Sequence, residues 1–255
     1  MGEAADLRFA TDPAAARLAL EGSVAGADLV VQLVAERARA VLIADMDSTM
    51  ITVECIDELA GYAGIKPQIA EVTERAMRGE LDFAAALDAR VALLAGLDEG
   101  AIDRCLAERV VPSPGARTLV RTMRARGAFC VLVSGGFTRF ADPVGERIGF
   151  DRVIANRLNI ADGRLDGTVA RPIVDAATKE ATLRQVLADR GLSADAAMAL
   201  GDGANDLPMI RAAGLGVAYR AKPVVAAGAD ARIDACALTA LLHAQGIARA
   251  DWTDR

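Results

Sequence analysis

Val41-Leu42-Ile43-Ala44-Asp45-Met46-Asp47-Ser48-Thr49 is the stretch on which the reading of this chain turns. Its first four residues are apolar and bounded by polar ones, the pattern of a buried strand. Side chains alternate along a strand, so Asp45 and Asp47, one residue apart, point the same way from its carboxyl end. In an open α/β sheet that end is where ligands bind. Two like charges so close together repel unless a cation, a shared proton or a substrate compensates them. A calcium loop starts in a similar way. Here its sixth position is Met50 rather than glycine and its twelfth is Ile56 rather than glutamate, which excludes it.

Composition narrows the chemistry. The chain has 255 residues, 53% of them hydrophobic and 25% charged, enough for a sizeable globular core. No apolar run reaches the length of a membrane-spanning helix, and the N-terminus lacks the layout of a signal peptide. A cytoplasmic location is the expectation. The net charge of −6 comes without a basic stripe, which argues against nucleic acid as a partner. Cys55, Cys105, Cys130 and Cys236 are scattered and read as reduced, mostly buried thiols. His243 is the only histidine, so a histidine-rich metal site is excluded, and no nucleophile-elbow motif accompanies it. It reads as a surface or helix-end residue, and catalysis falls to carboxylates and a metal.

Residues 1–38 carry helical patches, chiefly 28–39 with Asp28 as N-cap, and no motif; they read as an N-terminal extension of unknown role. Residues 39–52 and 111–255 read as one α/β unit, and 53–110 as an all-helical insert after the first strand. Ser113 and Pro114 suit the start of a helix closed by Gly127. Strands are expected at 129–133 and 197–200, a hairpin at 153–160 and 164–169 around Ala161-Asp162-Gly163, and a helix at 176–190 ending at Gly191. Strands alternating with helices give a doubly wound, mostly parallel sheet.

Three apolar strands thus end in polar clusters: Asp45/Asp47, Ser134-Gly135-Gly136, and Asp202/Asp206. In a parallel sheet those ends share one edge. Carboxylate oxygens from different strands are what Mg²⁺ selects. An aspartate can also act as nucleophile through an aspartyl-phosphate, with a second acid protonating the leaving group. Glycines let backbone N–H groups approach a phosphate closely. Lys179, one of few lysines, stands before the third strand and suits the remaining phosphate charge.

Asp45-Met46-Asp47-Ser48-Thr49, Ser134-Gly135-Gly136, Lys179 and Gly201-Asp202-Gly203-Ala204-Asn205-Asp206 resemble the four ordered motifs of the haloacid dehalogenase superfamily. Over about residues 41–242 the chain is similar to the phosphoserine phosphatases. The resemblance implies Asp45 as nucleophile and Asp47 as general acid and base. It implies Mg²⁺ on Asp45, the Asp47 carbonyl and Asp202, with Asp206 supporting. Ser134, Gly135, Lys179 and Asn205 would bind the phosphoryl group. Met46 stands where the family often has phenylalanine.

Phe83, Leu87, Arg90, Val91 and Leu94 fall on one helical stripe, so Arg90 interrupts an apolar face. Such an arginine either snorkels to water or offers a fork to an enclosed carboxylate. Glu54 opens the insert and, placed over the crevice, would meet an ammonium group. The resemblance implies Glu54 on the amine and Arg90 on the carboxylate of phosphoserine, with Met77 and Phe83 lining the pocket. It implies hydrolysis of phosphoserine in serine biosynthesis. A phosphotransferase to homoserine, or a phosphatase for another small phosphorylated amine, stays open on the same core chemistry. A non-catalytic metal- or phosphate-binding module would not require the acid at Asp47. Oligomeric state, a homodimer included, is left open.

Overall fold

The computed structural model describes residues 4–253. A short helix α1 (Pro13–Leu20) precedes strand β1 (Val41–Ala44). Four helices follow before the next strand: α2 (Cys55–Ala63), α3 (Lys66–Met77), α4 (Phe83–Ala92) and α5 (Gly100–Glu108). Then come α6 (Ala116–Ala125), β2 (Phe129–Phe137), α7 (Thr138–Ile148) and β3 (Arg152–Asn156). A hairpin of β4 (Leu158–Ala161) and β5 (Arg164–Val169) leads to α8 (Ala176–Arg190) and β6 (Ala197–Gly201). The chain finishes through α9 (Leu207–Ala212), β7 (Leu215–Tyr219), α10 (Pro223–Gly228), β8 (Ala231–Ile233) and α11 (Ala240–Ala244). Among the described residues, no helix is long and apolar enough to cross a membrane.

The main sheet has the order β3-β2-β1-β6-β7-β8, and all its pairs are parallel. The order reverses direction around β1, which places a crevice beyond its carboxyl end. The unbroken apolar run of β1 follows from its central position. Leu42 and Ala44 pack on one face with Leu132, Leu200 and Val217, while Val41 and Ile43 pack on the other with Leu183, Val186 and Leu187 of α8. A strand covered on both faces has no polar side to alternate with.

The hairpin clasps the helical insert through backbone bonds. Gly96 N–H donates to Leu165 at 2.8 Å, Leu165 N–H to Leu97 at 2.9 Å, and Glu99 N–H to Gly163 at 3.0 Å. Gly167 lies against Ala95, where an added Cβ would come within 2.9 Å.

Four expectations change. Residues 28–33 are irregular rather than helical, followed only by a short 3₁₀ turn at Val34–Glu36. Asp28 caps no helix of its own; its carboxylate accepts the backbone N–H groups of Asp234, Ala235 and Cys236 at 3.0, 3.2 and 2.8 Å. Helix α6 begins at Ala116, because Gly115 at φ +83° seats the chain against the backbone of Thr239. The run 153–160 is split at Arg157, β3 joining the main sheet and β4 the hairpin. Strand β2 continues through Ser134-Gly135-Gly136 to Phe137 instead of turning there. His243 lies in the last turn of α11, its ring 5.0 Å from that of Trp252. Cys55, Cys105 and Cys130 are buried free thiols, with Cys236 partly buried.

Burial raises the Asp28 carboxyl, but the three N–H donors outweigh it and hold its pKa below the usual carboxylate range. A depressed folded-state pKa stabilises above the unfolded value, and the gain is lost as pH falls through the folded one. Asp28→Ala is therefore expected to cost about 1 kcal/mol at neutral pH in denaturant unfolding, with the difference from wild type narrowing below about pH 4. Equal stability at neutral pH would show that this clasp does not hold the N-terminal segment.

Candidate active site

Parallel register brings the three strand ends level. Ala44 pairs with both Leu132 and Leu200, so Asp45 stands level with Val133 and Gly201, one residue before Ser134 and Asp202. Asp45 N–H still donates to Leu200 at 3.0 Å, which fixes the aspartate in the sheet pattern. Past it the chain makes a tight irregular turn, Met46–Met50, closed by Ile51 N–H to Met46 at 3.0 Å.

Lys179 is the centre of the site. It is fully buried on α8, where Asp175 caps the helix and aims this face at the crevice. Its ammonium lies 2.7 Å from Asp45 Oδ1 and 2.7 Å from Asp206 Oδ1. Asp206 is equally buried, and its Oδ2 accepts the N–H groups of Asp202 and Gly203 at 3.2 and 3.0 Å. Gly201 has to be glycine, since a Cβ there would overlap the Asp206 carboxyl group. Thr49 Oγ1 donates to Asp202 Oδ1 at 2.8 Å. Among the described residues, Asp45, Asp202 and Asp206 offer carboxylate oxygens that all lie within 4.8 Å of one another.

The electrostatics show a surplus of negative charge. Burial, then the charge of Asp206, pushes Asp45 well above the usual carboxylate range, with Lys179 opposing. Burial likewise raises Asp202 to about 6. Asp47 rises to about 7, through burial first and the charge of Glu54 second. Burial lowers Lys179, but Asp45 and Asp206 more than offset it and keep the ammonium charged. One lysine faces four acids. Hard oxygen donors in this density fit a divalent cation, which adds positive charge that side chains do not supply.

Ser134, Gly135 and Gly136 line the other side. Ser134 is buried and its Oγ accepts Gly136 N–H at 2.8 Å, which leaves the hydroxyl proton to donate elsewhere. Asn156 Nδ2 donates to the Gly135 carbonyl at 2.8 Å and its Oδ1 accepts Val174 N–H at 2.7 Å, bracing this strand end. A Cβ on Gly135 would stand 3.1 Å from Phe83 Cζ, and one on Gly136 would stand 2.7 Å from Asp47 Oδ2. Both glycines keep room between the strand end and the groups above it.

The insert supplies the roof. Glu54 stands at the N-terminus of α2, where its Oε1 accepts Ser48 Oγ–H at 2.6 Å. Arg90 is half-buried on α4, with Nε donating to Ala86 at 3.3 Å. Burial lowers its pKa, against the charges of Asp57, Glu54 and Asp47, so it faces the same acidic crevice. The Met77 side chain lies outside the described residues. Asn205 turns its Oδ1 over Gly203. The structure therefore gathers Asp45, Asp47, Ser134, Gly135, Lys179, Asp202 and Asp206, with Phe83, Glu54 and Arg90 above. Thr49 and Asn156 are bracing residues to which sequence reasoning gave no role. Nothing in the spacing of a lone asparagine marks it, whereas Thr49 sits two residues beyond Asp47.

Lys179→Met should destabilise the protein by about 3–5 kcal/mol, because it strips two buried carboxylates of their counter-charge. The measurement is denaturant unfolding in chelator. A loss below about 1 kcal/mol would deny that these ion pairs organise the site.

A family model described as haloacid dehalogenase-like hydrolase matches residues 42–211. The phosphoserine phosphatase of Streptomyces coelicolor is 46% identical over 241 residues, which are 94% of this chain and 58% of that protein. The phosphoserine phosphatase of Streptococcus thermophilus is 46% identical over 187 residues, 73% of this chain and 86% of that protein. A solved structure described as a phospho-aspartyl intermediate analogue of phosphoserine phosphatase superposes with a TM-score of 0.75 at 33% identity, covering 83% of this chain and 100% of that one. This chain spans 52% of the length of a Mycobacterium tuberculosis relative, so some of these proteins are much longer. The chain belongs to the haloacid dehalogenase-like hydrolase family and groups there with the phosphoserine phosphatases.

Proposed function

We propose that this chain hydrolyses O-phospho-L-serine to L-serine and phosphate, the last step of serine biosynthesis, through an aspartyl-phosphate at Asp45. The observation that carries the reading is the convergence of Asp45, Lys179, Asp202 and Asp206 beside Asp47 at one sheet edge. Residues 39–52 and 111–255 act as the core and 53–110 as a cap over it, with 1–38 an N-terminal extension. The setting is the cytoplasm and the cofactor Mg²⁺. Asp45, Asp202 and the Asp47 carbonyl would hold the ion, with Asp206 in support. When bound, it neutralises charge on the phosphate and on the acids around it.

The chain's own residues carry the steps. An Asp45 carboxylate oxygen forms a bond to phosphorus as the bond from phosphorus to the serine oxygen breaks. Asp47, raised to about 7 by burial, holds a proton near neutral pH and gives it to the departing oxygen. The resulting Asp47 carboxylate then takes a proton from water, whose oxygen attacks phosphorus and frees Asp45 and phosphate. Lys179, the Ser134 hydroxyl and the backbone N–H of Gly135 face the equatorial oxygens, where negative charge concentrates, and Asn205 supports them. Phe83 encloses the substrate, and a seated cap keeps bulk water out. Glu54 and Arg90 then meet the ammonium and carboxylate groups. A phosphorylated amino alcohol would bring Arg90 no carboxylate to pair with.

Arg90→Ala is expected to lower kcat/KM for phosphoserine about a hundredfold, as expected for a lost charge-assisted fork, with little effect on a small aryl phosphate. Equal losses on the two substrates would reject the carboxylate role. Chelator should abolish phosphate release, Mg²⁺ should restore it, and Ca²⁺ should restore it poorly because it favours looser, higher coordination. Full activity in chelator would remove the metal from the reaction.

A further inference from the structure

Three consecutive side chains of the Met46–Met50 turn each reach a different partner. Asp47 Oδ1 accepts Cys55 N–H at 3.1 Å, Thr49 Oγ1 donates to Asp202 Oδ1 at 2.8 Å, and Ser48 Oγ donates to Glu54 Oε1 at 2.6 Å. The third bond ends on an exposed glutamate at the start of the helical insert. Ser48 makes it from a left-handed backbone, at φ +55° and ψ −5°. Glycine adopts that conformation without steric cost, whereas a residue with a Cβ is disfavoured there. By backbone alone the position suits glycine. What serine adds is a hydroxyl.

Glu54 has need of that donor. It is exposed at the start of α2, one residue before the Cys55 N–H that Asp47 Oδ1 accepts, so a like charge stands close to it. As an exposed, long side chain it also has many rotamers to lose on being fixed. A short hydroxyl-to-carboxylate bond is charge-assisted and strong enough to select one of them. Threonine would supply the same group, but a β-branched residue is a poor fit to a left-handed backbone.

We infer that Ser48 is a positioning residue for substrate selection. Its hydroxyl holds Oε1 of Glu54 and so presents the other carboxylate oxygen to an ammonium group over the crevice. Ser48 touches no substrate in this scheme. The inference rests on the proposed function, in which Glu54 receives the substrate amine.

The test compares phosphoserine with 3-phosphooxypropionate, which keeps the phosphate and carboxylate and lacks the amine. KM and kcat are measured for wild type, Ser48→Gly and Glu54→Gln, together with thermal midpoints. Ser48→Gly removes the hydroxyl while relieving the backbone, so its thermal midpoint should match or exceed that of wild type. Its KM for phosphoserine should rise about tenfold, the scale of one hydrogen bond to a charged group, with kcat and the KM of the amine-free compound little changed. An equal rise on both substrates, or no rise, overturns the role. If Glu54→Gln discriminates between the substrates and Ser48→Gly does not, only the Ser48 assignment falls. If Glu54→Gln does not discriminate either, the amine site itself falls and the role of Ser48 with it.

Discussion

A lysine with no exposure to solvent, wedged between two carboxylates at 2.7 Å from each, is the constraint around which this molecule is arranged. Burying a charge is costly unless it is paired, and breaking such a pair leaves an uncompensated ion in a low-dielectric interior. Lys179 therefore has to reach Asp45 and Asp206 together, which fixes helix α8 against the carboxyl edge of β1 and β6. The tight contact of Gly201 with Asp206 and the pair of N–H donors on Asp206 Oδ2 follow from the same requirement.

The arrangement is stable but still over-supplied with negative charge. Asp45, Asp47 and Asp202 all rise above the usual carboxylate range, chiefly through burial. That surplus suits a site meant to receive cationic charge and to keep one acid protonated near neutral pH. The turn after β1 ties these needs together. Within five residues it contacts α2 through Asp47, the residue that caps α2 through Ser48 and the end of β6 through Thr49. Any movement of the insert relative to the sheet is thus felt at the acid that would protonate the leaving group.

Much of this was legible in the chain. The runs at β1 and β6 had no polar face, and acids followed both, so strand, edge and site came from one pattern. The helix expected at 176–190 and closed by Gly191 is α8 with those bounds. The failures share a cause, since each depends on contacts far away in sequence. Residues 28–33 look locally helical but are pulled straight by Asp28 on 234–236 and by Gln32 on the Ala244 carbonyl. Gly115 delays α6 to meet the backbone at 238–239. Lys179 was expected in the site, but its burial and its pairing with Asp45 and Asp206 come only from the fold. Thr49 acts on Asp202 across 153 positions and Asn156 on Gly135 across 21, pairings that no local periodicity encodes.

The central claim is that Asp45 takes the phosphoryl group onto its own carboxylate. Rapid acid quench of the enzyme with ³²P-labelled phosphoserine, followed by peptide mapping, tests it most directly. The account predicts transient label on the peptide containing Asp45, stable in acid, labile in base and chased by unlabelled substrate. Turnover without protein-bound label at quench times well inside a single cycle, or label on another residue, would contradict it.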